Sequence, residues 1–447
     1  MANHRRLRSV YGSCLMFKSD WRQRFAEIRH EISGTPISNL SETLKDIEAA
    51  TIKEFTASIG TAALVADSDP VRFSLRYLTM IDLGIIPVPI SHELPTGTIK
   101  SLRSRIAGWT LGEYACLTSG TTSTPKLCAF SVQGAMANAK AHATSLGITS
   151  DHKIVQALPV HHSFGLVCYL WTALTSGCAI DFQIASPGIA ALSAKSEEYA
   201  VYLSPAQARF FSKMKNRASM NLSIASVGGG GLACKEAESF MELFKNSNHF
   251  VTYGLTEAGP RVSTGKMHCD FTDGAYIGRA LPGVEVFVTQ RDENGQSSPE
   301  GEGRLCVRSP SLKKNLESTE LAKDGSLMTR DHVRIVNGDI YFLSRESDLI
   351  NVGGVSIYPG DIEAVARSCD GIRDCIVLKV RDAIYEETPV LVAEGDVSKS
   401  EVWDHLTKNL SPAQMPKQVF VVQEMPRQSL NKIDRKTLLG KLGLDGS

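Results

Sequence analysis

No two of the ten cysteines form a CxxC pair, and the closest two, Cys369 and Cys375, have no neighbouring His or Cys cluster. That spacing speaks against a structural zinc site and against a disulfide scaffold, and it fits a reducing, cytoplasmic setting. Charge of a dominant sign is missing too: 48 Lys and Arg balance 48 Asp and Glu. Nothing in that balance favours nucleic acid or a membrane surface as partner. The most apolar run, Phe164 to Leu174, is too short to span a bilayer and reads as a buried helix. The basic opening, Met1 to Leu15, lacks the apolar stretch of a secretory signal and is expected to be a disordered tail. The common phosphate-binding pattern GxxxxGK followed by Ser or Thr is absent, because Leu127 follows Lys126. Internal repeats are absent as well.

What remains is the texture of an ordinary globular chain, 43% apolar and 21% charged. At 447 residues it is too long for one compact core, so two or three domains are expected. Short apolar strands alternate with helical stretches through the first half. Tyr114–Leu117 and the segment from Lys126 read as strands, and Ser131 as the cap of an alanine-rich helix running to about Leu146. Further strands are expected from Lys153 toward Pro159, over 199–203, over 221–227 and over 249–257. Ser204-Pro205 opens a helix as cap and first residue, and a second helix covers 233–244. This alternation predicts an α/β fold of doubly wound parallel sheets with loops gathered at the strand ends. Beyond Pro282 the pattern turns antiparallel, with a hairpin turning at Asn337-Gly338. That portion reads as a small β-barrel-like subdomain closing a large domain over residues 1–346. Residues 347–447 read as a small α+β C-terminal domain with helices at 361–367 and 400–409.

The segment Thr118-Ser119-Gly120-Thr121-Thr122-Ser123-Thr124-Pro125-Lys126 sets hydroxyls, one glycine and one lysine on a strand-to-strand turn. Backbone N–H groups and hydroxyls can wrap an anion there and the lysine adds a point charge, so a phosphate cradle stands beside a plain exposed turn as the two readings. At Tyr253 to Arg261 an aromatic, a threonine and a carboxylate follow a strand. Tyr253 could cover a flat ring, Thr256 could donate to a phosphate, and Glu257 could hold magnesium. Asp331 could accept from ribose hydroxyls, and Arg345 could meet a phosphate or a ribose. Gly228 to Gly231 make a tight turn that would also let a flat base approach the backbone. His161 and His162, taken as a strand end, should point apart, which favours a pocket histidine over a metal pair. Arg261 is a charge near this constellation, able to pair with a ligand or to lie on the surface.

Together these blocks, in this order, resemble the adenylate-forming superfamily: acyl-CoA synthetases, aryl acid ligases and peptide-synthetase adenylation domains. The resemblance runs over residues 60 to 440, with a shortened region before the phosphate loop. It implies that Thr118, Ser119, Gly120, Thr121, Thr122, Lys126, Gly229, Gly230, Tyr253, Gly254, Asp331 and Arg345 hold ATP or AMP. It assigns Mg²⁺ to Glu257, an acid pocket to His162, Gly228 and Arg261, and catalytic roles to Thr256, Glu257 and Lys432. Ser347 would be the hinge about which the C-terminal domain moves. Ser123 and Asn431 depart from loop glycines, and Ser347 from the usual Asp or Lys. The activity implied is ATP-dependent formation of acyl-AMP from a small carboxylic acid. Transfer to the phosphopantetheine thiol of CoA or of an acyl carrier protein would follow. Transfer to an amine or hydroxyl, or a non-catalytic binding protein on the same scaffold, are the alternatives.

Overall fold

The computed structural model describes the chain outside residues 1–20, 22–24, 27, 29, 33–34, 38–39, 119–125, 184–191, 193–197, 213–221, 231, 233, 269–274, 290–296, 318–319, 323, 347–349, 353–354, 383, 428–432 and 445–447. The first strands are β1 (Glu31–Ile32) and β2 (Thr35–Pro36), followed by α1 (Leu40–Phe55), β3 (Ala62–Val65), α2 (Pro70–Asp82), β4 (Ile86–Pro89) and α3 (Thr96–Ile106). β3 pairs parallel with β4. β5 (Tyr114–Leu117) and β6 (Leu127–Phe130) form an antiparallel pair whose turn carries the hydroxyl segment. The helix expected after Ser131 is α4 (Val132–Leu146); the Ser131 hydroxyl accepts from Gly134 N, and Gly147 closes the helix in the left-handed region at φ +76°.

The central sheet follows. β7 (Lys153–Val155) stops well short of Pro159, because residues 159–162 turn into a helix. That helix is the expected buried one. It begins as α5 (Ser163–Gly165), is wound as a π-helix over Leu166–Trp171, and ends as α6 (Thr172–Ser176). β8 (Ala179–Phe182), β9 (Tyr199–Leu203), α7 (Pro205–Ser212), β10 (Ile224–Gly228), α8 (Cys234–Leu243) and β11 (Asn248–Gly254) complete the parallel part. Strands β1, β8, β7, β9, β10 and β11 lie side by side, all parallel.

Both faces of these strands are covered, and the alternation along β9 shows why. Tyr199, Val201 and Leu203 enter a core with Phe240 and Phe244 beside α8. Ala200 and Tyr202 enter the opposite core with Tyr169 and Trp171. Side chains alternate across a strand, so an unbroken apolar strand needs a cover on each side. The doubly wound architecture read from the sequence is the one observed.

After β11 the sheet changes sense. β12 (Arg261–Lys266) returns antiparallel to β11. β13 (Ala275–Ala280), β14 (Glu285–Thr289), β15 (Ser297–Ser298), β16 (Gly301–Arg308), β17 (Leu327–Val336) and β18 (Asp339–Arg345) continue antiparallel. Asn337 and Gly338 turn the β17–β18 hairpin with φ of +51° and +79°.

Residues beyond 349 build a second α+β unit from β19 (Ile350–Val352), β20 (Val355–Ile357), α9 (Pro359–Arg367), β21 (Ile372–Asp382), β22 (Glu386–Gly395), α10 (Lys399–Asn409), β23 (Gln418–Val422) and α11 (Arg435–Lys441). Here too β21 alternates between two cores. Cys375 and Val377 pack with α9 and α10, while Ile376, Leu378 and Val380 pack with Leu438 of α11. The sequence reading had two helices in this unit; α11 is a third, opened by Asp434, whose carboxylate accepts from Thr437 N. No described helix is long and apolar enough to cross a membrane.

One buried side chain ties helix α4 to the antiparallel part of the main sheet. Asn138 of α4 accepts from Arg261 N at 3.0 Å and donates to Arg261 O at 2.8 Å and to Ser311 Oγ at 3.2 Å. It thereby satisfies the first residue of β12 where the ladder with β11 shifts register. Asn138→Ala should cost about 3 kcal/mol in urea unfolding, since two buried backbone groups lose their partners. A loss below about 1 kcal/mol would show that the Arg261 backbone is satisfied in another way.

Candidate active site

Strand ends bring the sequence-marked residues together. At the base of the hydroxyl turn, Thr118 N donates to Lys126 O at 2.9 Å, and Lys126 N donates to Thr118 Oγ1 at 3.1 Å. Ser119, Gly120, Thr121 and Thr122 lie outside the described residues. The Lys126 ammonium is half-exposed and sits 3.7 Å from both Glu317 and Glu320 carboxylates.

A strap over residues 309–317, unmarked by any motif, locks this hairpin to the rest of the site. Asn315 accepts from Ala129 N at 2.9 Å and donates to Leu127 O at 2.8 Å. Ser311 Oγ donates to Ala258 O at 2.7 Å, and Lys313 N donates to Glu257 O at 2.9 Å. The strap thus holds β6 and the Thr256–Ala258 turn in one frame.

Glu257 sits on that short 3₁₀ turn at the end of β11. Its carboxylate takes no hydrogen bond and no ion pair from a described residue, though it is only partly exposed. A half-buried carboxylate with its oxygens free suits a hard divalent cation whose remaining ligands are phosphates and water. Beside it, Thr256 Oγ1 lies 3.0 Å from Ser163 Oγ.

Across the sheet, Asp331 is the hub of a charged node. The Tyr253 hydroxyl donates to its Oδ2 at 2.5 Å; Arg345 donates through Nε to Oδ1 at 2.7 Å and through an Nη to Oδ2 at 3.3 Å. Asp331 is 2% exposed, so its charge is held by these partners rather than by water. Burial first, and the Asp331 charge second, push the Tyr253 phenol far up, so it stays a donor. The sequence reading gave Asp331 to ribose hydroxyls and Arg345 to a phosphate or a ribose; here the two grip each other, and Tyr253 is held by Asp331.

The glycine turn divides by position. A Cβ on Gly228 would lie 2.6 Å from Thr252 Cγ2 and 2.9 Å from Phe164 Cζ, so side-chain packing fills the space that was expected for a base. Gly229 instead has φ +91° and open space, and it is the glycine a flat ring could approach. Gly254 is closed in: a Cβ there would meet Pro260 O at 2.1 Å.

Two of the three acid-pocket candidates, Gly228 and Arg261, meet through a residue the sequence reading passed over. Phe164 touches the Gly228 position and lies under the Arg261 guanidinium, 3.9 Å from ring centre to Cζ. Only its place inside an apolar run beside His162 could have marked it. Arg261 is 2% exposed, which excludes the surface charge that was one of its readings. His161 and His162 do not point apart: their ring centres are 4.6 Å apart, because residues 160–162 form a turn and not a strand end. Burial lowers His161 to about 3, with His162 and His92 adding to it, and lowers His162 to about 4. Both are therefore neutral near pH 7. Ser347 and Lys432 lie outside the described residues.

Residues 113–315, which hold the hydroxyl turn, the glycine turn and the Glu257 turn, match the family of AMP-binding enzymes. A 2-succinylbenzoate–CoA ligase of Lactococcus lactis is 31% identical over 43% of this chain, and the chain spans only 41% of that relative's length. A second 2-succinylbenzoate–CoA ligase, from Bacillus subtilis, is 28% identical over 72% of this chain and 67% of its own length. A long-chain-fatty-acid–CoA ligase of Salmonella typhimurium is 24% identical over 92% and 78%. Among solved structures, ATP-bound MatB from Rhodopseudomonas palustris matches with TM-score 0.82 at 19% identity, over 95% of this chain and 98% of that one. The Bacillus subtilis O-succinylbenzoate CoA synthetase with ATP and magnesium matches with TM-score 0.80 at 22% identity, over 94% and 99%. At such identities the structures establish a shared fold.

Asp331→Ala should weaken AMP binding at least about tenfold in calorimetric titration, roughly 1.4 kcal/mol. It removes the acceptor that fixes Tyr253 and Arg345. An unchanged Kd would take the node out of the nucleotide site.

Proposed function

We propose that the protein is an acid–thiol ligase that activates a small carboxylic acid with ATP and passes the acyl group to the thiol of CoA. The observation that carries this is the free carboxylate of Glu257, held by the strap between the hydroxyl turn and the Asp331–Tyr253–Arg345 node. The relatives' names point the same way, since they are CoA ligases of 2-succinylbenzoate and of long-chain fatty acids.

In the first half-reaction a carboxylate oxygen of the acid attacks the α-phosphorus of ATP. The bond from that phosphorus to the bridging oxygen breaks and pyrophosphate leaves. Two anions must be brought together and the charge on phosphate neutralised, which is work of positioning and electrostatics. Thr118 and Lys126, with the turn between them, would hold the outer phosphates. Glu257 would hold Mg²⁺, which would supply charge neutralisation at the phosphate oxygens. Tyr253 and Gly229 would flank the base, with Asp331 and Arg345 at the ribose side. Lys432, through the family resemblance, would bridge the acid's carboxylate and the α-phosphate.

In the second half-reaction the thiol sulfur attacks the acyl carbon, the carbon–oxygen bond to AMP breaks, and the thiol proton goes to solvent. The unit beyond residue 349 has two cores of its own and is read as a mobile domain, 347–447, turning about Ser347. A carrier protein's phosphopantetheine would serve the same chemistry as CoA. Transfer to an amine or hydroxyl is the second reading, and product analysis with each acceptor decides between them. A cytoplasmic location is the setting that fits the cysteine spacing.

ATP–pyrophosphate exchange stimulated by a carboxylic acid is the direct test; no exchange with any acid in a broad panel would end the proposal. Lys432→Ala should abolish exchange while largely sparing thioester formation from supplied acyl-AMP, because one lysine serves one of two domain orientations. Equal loss of both would give Lys432 a general structural role. Glu257→Gln should raise the magnesium needed for half-maximal exchange at least about tenfold with the melting temperature unchanged. An unaltered magnesium titration would move the metal elsewhere.

A further inference from the structure

Arg261 is a buried cation for which the described residues offer no carboxylate. Among the described residues its Nη1 reaches Thr252 Oγ1 only at 3.4 Å, its Nε has no hydrogen-bond partner, and its guanidinium lies over the Phe164 ring face at 3.9 Å. Cys168, Tyr202 and His142 act on it electrostatically, and all three are neutral at pH 7. Burial of a charge without a partner is strongly unfavourable, and a ring face with one long hydrogen bond offsets only part of it.

The groups around it are short of partners too. The Tyr202 hydroxyl, Ser226 Oγ and His142 Nε2 are buried and make no hydrogen bond. They are neighbours: Ser226 pairs in register with Tyr202, and the His142 and Tyr202 ring centres are 5.6 Å apart. Ser226 and Gly228, two residues apart on β10, share one face, and Gly228 leads out to the open Gly229. Phe164 connects this face to Arg261. A donor set of guanidinium, phenol and hydroxyl, unfilled and ending at the glycine turn, is built to receive an anion from that side.

We infer that the acid this protein activates carries a second carboxylate, seated on Arg261 with Tyr202 and Ser226 donating to it, so the substrate is a dicarboxylic acid. The inference rests on the adenylation reading above and adds the class of the acid. The carboxylate that reacts lies toward the phosphates, and the one that is only bound lies at Arg261. No bond to the second carboxylate forms or breaks; it supplies orientation and selectivity. Planar, bidentate recognition of a carboxylate is what arginine does better than lysine.

The test uses the full chain and acid-stimulated ATP–pyrophosphate exchange, with each dicarboxylic acid run beside its half-amide. Dicarboxylic acids should be preferred by at least about a hundredfold in kcat/KM, since a buried donor set left unpaired rejects the analogue that lacks the acceptor. Arg261→Met should bring that ratio to about one, through KM for the acid, with KM for ATP unmoved. Arg261→Lys should keep the sign of the preference at a reduced size. The apo melting temperature of Arg261→Met should equal or exceed that of the natural chain, because an unpaired buried charge is removed; a fall would make the guanidinium a structural element and overturn the inference. Exchange that is equally fast with half-amides would overturn it while leaving adenylation standing. Exchange with no acid at all would overturn both.

Discussion

The site depends on one tight reversal, between the last parallel strand and the first antiparallel one. β11 ends at Gly254 and β12 starts at Arg261, so the chain must turn back within six intervening residues. Leu255 N donates to Pro260 O at 2.9 Å, and Gly254 passes that carbonyl so closely that no Cβ fits. Gly259 stands at φ +96°, with its missing Cβ position 2.2 Å from Ser311 O. This reversal lifts Thr256 and Glu257 above the sheet on one side and drops Arg261 into the core on the other. Carboxylate and guanidinium come from neighbouring positions in sequence, yet the first is partly exposed and the second is 2% exposed.

Two buried charges near that turn are treated differently, and the difference is informative. Asp331 is surrounded: a bidentate guanidinium and a phenol occupy its oxygens, so its desolvation is offset within the protein. Arg261 is given a ring face and one long hydrogen bond. A fold under selection for stability alone would place an apolar side chain at 261, as hydrophobic replacements of buried charges often stabilise. The first charge shapes the node; the second, on the inference above, is left for the acid's own carboxylate.

Where the sequence was legible, a local physical signal was decisive. Ser131 and Gly147 mark both ends of α4 because a hydroxyl cap and a left-handed glycine are requirements of helix ends. Tyr253 and Arg345 stand at strand ends with chemistry a core would not choose, which is what marks them in the sequence; Asp331, marked by its place before the hairpin, lies mid-strand in β17. The strap escaped because its meaning is nonlocal: Asn315 serves Ala129 across 186 positions, and its stretch has no periodicity. Phe164 escaped because an aromatic in an apolar run looks like core, and most of that run is core. Residue 161–162 orientation was misread because β7 ends at Val155, four residues before Pro159, and strand alternation no longer applies. The helix α11 was missed although Asp434 offered the same kind of cap that identified α4.

The strap also settles how an anion could be accepted without leaving a carboxylate stranded. Lys126 shares Glu317 and Glu320, each at 3.7 Å, while Lys313, almost fully buried, holds Glu320 at 2.7 Å. Burial works to raise Glu320, but the hydrogen bonds from Lys313 and Glu317 N and the charges of Lys313 and Lys126 outweigh it and hold its carboxyl low. A phosphate drawing Lys126 away would remove the weaker, longer pairings. Glu320 would keep its short bond to Lys313, and Glu317, largely exposed, would return to water at little cost. The buried lysine thus anchors the carboxylate, and the exposed one is free to change partner. On the proposed function, that division would give phosphate contact to Lys126 and framework to Lys313, two lysines that charge alone would not tell apart.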